Sequence, residues 1–149
     1  MSELEDQYRE VYFAISGKNL DPDKITRQVQ IEPDHCHING ERISSKRLCQ
    51  QGVWWLQGRP EDASFDVQMQ SILERIRPVK ETLMNIISWP EVEDANLTVA
   101  CEPHPDVAIA GYCFDAAILN EFTSLGIDFA FSIHTVSYTH LTLPTILLV

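Results

Sequence analysis

The 149-residue chain predicts an α+β fold, a two-layer sandwich of about five mainly antiparallel strands with three helices on one face. Three observations predict it. Short stretches alternate apolar and polar residues, as half-buried strands do. Other stretches repeat apolar residues at three- and four-residue intervals, as amphipathic helices do. In chain order the last six elements read strand, helix, strand, strand, helix, strand, the split βαβ arrangement of ferredoxin-like folds.

The first strand is Glu10 to Ser16, with Val11, Phe13 and Ile15 on one face and Tyr12, Ala14 and Ser16 on the other. Gly17 to Asn19 is a turn. Asp21 then caps a helix with Pro22 at its first position, and Leu20 and Ile25 are spaced as a hydrophobic staple across the cap. Ile25 and Val29 lie one turn apart on its buried side. Glu32 to Gln51 is irregular, with Pro33, a turn signal at Asn39-Gly40 and a basic cluster of Arg42, Lys46 and Arg47. Val53 to Gln57 reads as the next strand, carrying Trp54 and Trp55 on opposite faces.

Phe65 to Ile87 is the longest helical pattern, with Phe65, Met69, Ile72, Leu73, Ile76, Val79, Leu83 and Ile87 inward. Pro78 lacks a backbone donor and crowds the preceding turn, so a kink or two abutting helices are expected there. Asn96 to Glu102 and Val107 to Phe114 read as strands joined by the loop EPHPD. Asp115 caps a helix whose apolar face is Ile118, Leu119, Phe122 and Leu125, and Gly126 stands where a terminating glycine belongs. The last strand is Ile127 to His134, with Ile127, Phe129, Phe131 and Ile133 toward the core. The expected core is Phe13, Ile15, Ile72, Leu73, Ile76, Val99, Phe122, Leu125, Phe129 and Phe131.

Composition bounds the function. Apolar residues form 44% of the chain, too many for a disordered one, and its length suits a single domain over residues 10–135. The charged opening MSELEDQYRE has no apolar h-region and reads as a flexible terminus over residues 1–9, not a signal peptide. No apolar run approaches a membrane span, so cytoplasm is the expected compartment and no membrane is expected as partner. Cys36, Cys49, Cys101 and Cys113 are then expected as free thiols, with Cys101 and Cys113 buried in strands. Lys80 is the last basic residue, and nine acids follow it, so the C-terminal half would repel a phosphate backbone. Nucleic acid is a poor partner. A basic protein is a better one.

Residues 136–149, VSYTHLTLPTILLV, hold no charge and break the strand pattern before them. Val136 to Thr145 resembles the translation of a transposon-based sequencing adapter. The segment is therefore expected to be a non-native tail that adds nothing to the fold, with the native C-terminus replaced.

Three kinds of chemistry can be weighed. His35, Cys36, His37 and Cys49 are donors that zinc would accept, with His35, His37 and Cys49 the workable set. Adjacent donors cannot easily share one ion, and no C-x-x-C knuckle is present, so incidental residues of a polar loop explain them more simply. No cofactor is expected. Nucleophilic catalysis needs a nucleophile, a base and an orienting group together. No G-x-S-x-G elbow or glycine-rich phosphate loop occurs, so catalysis is not the favoured class. The third feature is the second sheet face, read as Tyr12, Ala14, Ser16, Trp54, Thr98, Ala100, Ala108, Ala110, Tyr112, Ala130 and Ser132. It is poor in charge for a solvated face, so either more chain covers it or it meets a partner or ligand.

The segments Tyr12 to Pro33 (YFAISGKNLDPDKITRQVQIEP), Gly52 to Leu56, Ile72 to Pro78 (ILERIRP) and Phe114 to His134 resemble the bacterial family known as domain of unknown function 4279. The LDP-x-x-I-T opening followed by I-x-P carries most of the likeness. The resemblance implies the fold and supplies no catalytic residues. The favoured reading is a non-catalytic module acting through protein contact, by analogy with immunity proteins that neutralise basic toxins. The alternatives are a metal protein using His35, His37 and Cys49, and a small-molecule binder near Trp54, Trp55 and Tyr112.

Overall fold

In a computed structural model, which describes residues 8–106 and 111–134, Val11, Phe13 and Ile15 are fully buried on strand β1 (Tyr8–Gly17). Helix α1 (Pro22–Val29) follows, its cap formed as the sequence predicts: Asp21 Oδ1 accepts from the Asp23 backbone N–H at 3.0 Å. Leu20, Ile25 and Val29 are buried together. Three short strands come next, β2 (His35–His37), β3 (Arg42–Ser44) and β4 (Arg47–Leu48), and then β5 (Gly52–Gln57).

The long helical pattern breaks at Pro78. Helix α2 (Phe65–Ile76) passes through a 3-10 turn at Arg77–Val79 into α3 (Lys80–Ile87). A 3-10 residue advances the helix by more than an α-helical one. The inward phase shifts accordingly, and Ile86 is buried where the unbroken periodicity points to Ile87. Strand β6 (Asp94–Glu102), helix α4 (Ala116–Thr123) and strand β7 (Asp128–Ile133) complete the described elements. Asp115 caps α4, and Gly126 takes the left-handed conformation beyond its end.

The strands form a five-stranded sheet in the order β2-β5-β1-β6-β7 and a separate β3-β4 hairpin. Every pairing in the large sheet is antiparallel except β6 with β7, which α4 connects as a crossover. The buried residues of all four helices join one cluster with the inward residues of β1, β5 and β6. The helices therefore cover one face of the sheet, in an α+β architecture.

On the side of β1 that faces β5, the backbone groups beyond the end of β5 have no strand partner among the described residues. The fully buried Gln68 of α2 takes the place of that strand. Its Oε1 accepts from the Val11 N–H at 3.0 Å, and its Nε2 donates to the Arg9 carbonyl at 3.1 Å and the Ala63 carbonyl at 2.9 Å. The Gly58 N–H donates to the Val11 carbonyl at 2.7 Å. Each buried backbone group here has a partner, as burial requires.

Several expectations need correction. Trp54, read on the second face, is fully buried on the helix side, because it pairs in register with Ile15 and donates its indole N–H to Thr26 Oγ1 of α1 at 3.0 Å. Phe129, Phe131 and Ile133 share the core side of the sheet but remain 36%, 38% and 50% exposed, since β7 is an edge strand among the described residues. Gly111 to Phe114 are not strand, so the ferredoxin-like order is not completed among the described residues, and Val107–Ala110 lie outside them. Cys113 is exposed for the same reason, and the buried cysteines are Cys49 and Cys101. His35 to His37, read as loop, pair with β5 as a strand. Tyr8 and Arg9 belong to β1, whereas residues 1–7 and the tail of residues 136–149 lie outside the described part.

Candidate functional site

Alternation along each strand places every second residue on the face that the helices leave open. Register then assembles those residues into rows. One row runs His35, Trp55, Ala14, Asn96, Asp128 across all five strands. The next runs Gln57, Tyr12, Thr98, Ala130, and a third runs Glu10, Ala100, Ser132. Ser16 and Ala100 are buried, while Tyr12, Ala14, Trp55, Asn96 and Thr98 are half-buried.

Aromatic rings hold the middle of this face. Trp55 stacks on Tyr12 with centroids 4.4 Å apart and planes 23° apart, and the His35 ring tilts against Trp55 at 5.0 Å. A polar chain extends from them. Trp55 Nε1 donates to Gln57 Oε1 at 3.2 Å, and Gln57 Nε2 donates to Glu10 Oε2 at 3.3 Å. On the other flank Thr98 donates to Asn96 Oδ1, and Asn96 Nδ2 donates to Asp94 Oδ2, both at 2.7 Å. These bonds hold the side chains in fixed orientations.

The charge on this face has one sign. Glu10, Asp94, Glu102 and Asp128 occupy its strand positions, and no Lys or Arg does. Burial, and then the carboxylates of Glu10 and Glu102, push the Tyr8 phenol above its ordinary value, so it stays protonated.

Asp34 anchors the edge of the platform. It lies just before β2, and its carboxylate accepts from the Gln57 backbone N–H at 2.7 Å, from Arg75 Nη1 of α2 at 2.9 Å, and from Arg59. Its own N–H donates to the Trp55 carbonyl at 2.9 Å. Burial alone would raise the Asp34 carboxyl. The Gln57 N–H and the two guanidinium groups outweigh it and hold the group below its usual value. This junction ties β2 to β5 and α2, which keeps His35 against Trp55.

The sequence-predicted site residues divide. Trp55 is on the open face, Trp54 is in the core, and Tyr112 packs its ring against Phe65 and Phe131 at 5.8 and 5.3 Å. Trp54 and Trp55 thus lie on opposite faces of β5. His35 and His37 lie on one face of β2 and line a cleft with Cys49. No three His, Cys, Asp or Glu side chains among the described residues converge as a metal set. His104 lies beside Asp106, and His134 beside Ser132. Neither pair adds the third group of a nucleophilic triad among the described residues.

Sequence reasoning missed Asp34, Arg59, Arg75 and Glu10. A signal for Glu10 existed in the β1 alternation, but nothing local joins Asp34 to an arginine 41 residues away.

The family described as Domain of unknown function (DUF4279) matches residues 6–136 of the chain. No curated protein and no solved structure matches.

Proposed function

The chain belongs to the DUF4279 family, and we propose that it is a non-catalytic binding module whose open sheet face docks a basic protein. The observation that carries this reading is the combination on one face of the Tyr12–Trp55 stack with carboxylates of a single sign. Aromatic faces and carboxylates both attract guanidinium and ammonium groups, and a partner's Arg can satisfy both at once. Steering by the net charge of −11 would speed the encounter with a basic partner and repel nucleic acid. Among the described residues no helix is long and apolar enough to cross a membrane. A reducing cytoplasm suits the exposed thiols of Cys36 and Cys113, and neutralising a basic toxin, as immunity proteins do, is one role such a face would fit.

Titration of the full chain with an arginine-rich peptide, followed by calorimetry and amide shift mapping, tests the reading. Shifts should cluster at Tyr12, Trp55, Thr98 and Asp128. Trp55→Ala and Glu10→Gln should each weaken binding. Unchanged affinity in both variants, or shifts confined to the helical face, would overturn the proposal.

A further inference from the structure

A second feature has the opposite charge. Acids outnumber bases 22 to 11 in the chain, yet one cleft of about 760 Å³ is lined by Lys18, Lys46 and Arg47 with Gln50, Gln51 and a single carboxylate, Glu93. The three cations come from two segments: Lys18 from the turn after β1, Lys46 and Arg47 from the β3-β4 hairpin. The ion pairs among the described residues use Lys24, Arg59, Arg75, Arg77 and His104, and none of the three cleft cations.

The cleft has a braced frame. Asn39 Nδ2 donates to the Lys18 carbonyl at 3.2 Å, holding the turn against the hairpin segment. The neck of the hairpin closes through Gly40 N–H to the Cys49 carbonyl and Cys49 N–H to the Glu41 carbonyl, both at 2.8 Å. At its tip Arg42 Nη1 donates to the Ser45 carbonyl at 3.2 Å, and the Lys46 N–H donates to Ser44 Oγ at 3.3 Å. Arg42 is thereby used in fixing the turn, and Lys46 and Arg47 are left to line the cleft.

We propose that this cleft binds a small soluble ligand bearing phosphoryl groups. Gathering three like charges around one carboxylate, Glu93, with none of them in an ion pair among the described residues, leaves mutual repulsion that a bound multivalent anion relieves. The planar fork of Arg47 matches phosphate oxygens bidentately, the two lysines supply point charges, and the Gln50 and Gln51 amides add neutral donors. The volume falls in the range of small-molecule sites. An anionic membrane is a poorer source of the same phosphoryl chemistry, because the chain's net charge of −11 is repelled by its surface.

Calorimetric titration of the full chain with inorganic pyrophosphate at low ionic strength, joined to amide shift mapping, tests the site. One-site binding is expected, with shifts confined to Lys18, His37 and residues 46–51. Lys18→Glu should weaken it about tenfold, although it lies outside the hairpin. Lys18→Gln and Lys46→Gln, with circular dichroism unchanged, should weaken it in the same direction. Arg27→Glu makes the same charge change on exposed α1 and should leave affinity unchanged. The proposal is overturned if Arg27→Glu weakens binding as much as Lys18→Glu, if tricarballylate binds more tightly than pyrophosphate, or if only phosphatidylserine vesicles bind.

Discussion

Gly17 and Gly52 face each other at the last rung of the β1–β5 ladder, and neither has room for a side chain. A Cβ on Gly17 would meet the Glu91 carbonyl oxygen at 2.0 Å, and one on Gly52 would meet the Leu20 carbonyl oxygen at 2.0 Å. Both obstacles are backbone, so neither can be turned aside. Gly17→Ala and Gly52→Ala should each cost about 3 kcal/mol in urea unfolding. A cost below about 1 kcal/mol would mean that the backbone crossings beside this rung give way to a methyl group.

The two adjacent tryptophans should respond very differently to truncation. Trp54 is fully buried and hydrogen-bonded to Thr26, so Trp54→Ala should cost about 3–5 kcal/mol. Trp55 loses a half-exposed stack on Tyr12, worth about 1 kcal/mol. Chemical denaturation of both variants checks this, and equal costs would contradict the assignment of the two faces.

Gln68→Leu preserves much of the side-chain volume but removes the amide that serves β1. It strands the Val11 N–H and the Arg9 carbonyl near the core, at a cost of about 2–3 kcal/mol. Hydrogen exchange at the Val11 amide should accelerate by more than at Phe13, whose neighbours on both sides are strands.

Asp34 predicts an acid limb in the stability profile. Its carboxyl lies below its ordinary value in the fold, so the unfolded chain takes up a proton first as pH falls. The stabilisation is complete above the unfolded value of about 3.9 and is lost as pH drops through the lower folded value. Asp34→Asn should cost about 2 kcal/mol near neutral pH. The difference from the parent chain should shrink in the acid range. A difference constant across pH would show that the carboxylate charge is not what holds β2.

Much of the fold is legible in local chemistry. The caps at Asp21 and Asp115, the break at Pro78 and the inward set Val11, Phe13, Ile15 all follow from residue types at short spacing. Half of the open face is legible for the same reason, since Tyr12, Ala14 and Thr98 alternate with core residues. Asp34 and its arginines are not, because 25 and 41 residues separate partners that only the folded chain brings together.

Residue types at short spacing set the periods: which stretches are helices, where they start and break, and that most strands have two chemically distinct faces. Which face is covered depends on long-range packing. Val53 to Leu56 is apolar at every position, so its alternation has no polar phase to mark the outside. Packing of α1 over Trp54 and register with Ile15 settled that choice. In β7 the alternation was clear, and the edge position still left Phe129 and Phe131 more than a third exposed. A residue's own neighbours in sequence set its direction, whereas its burial depends on what distant segments place above it.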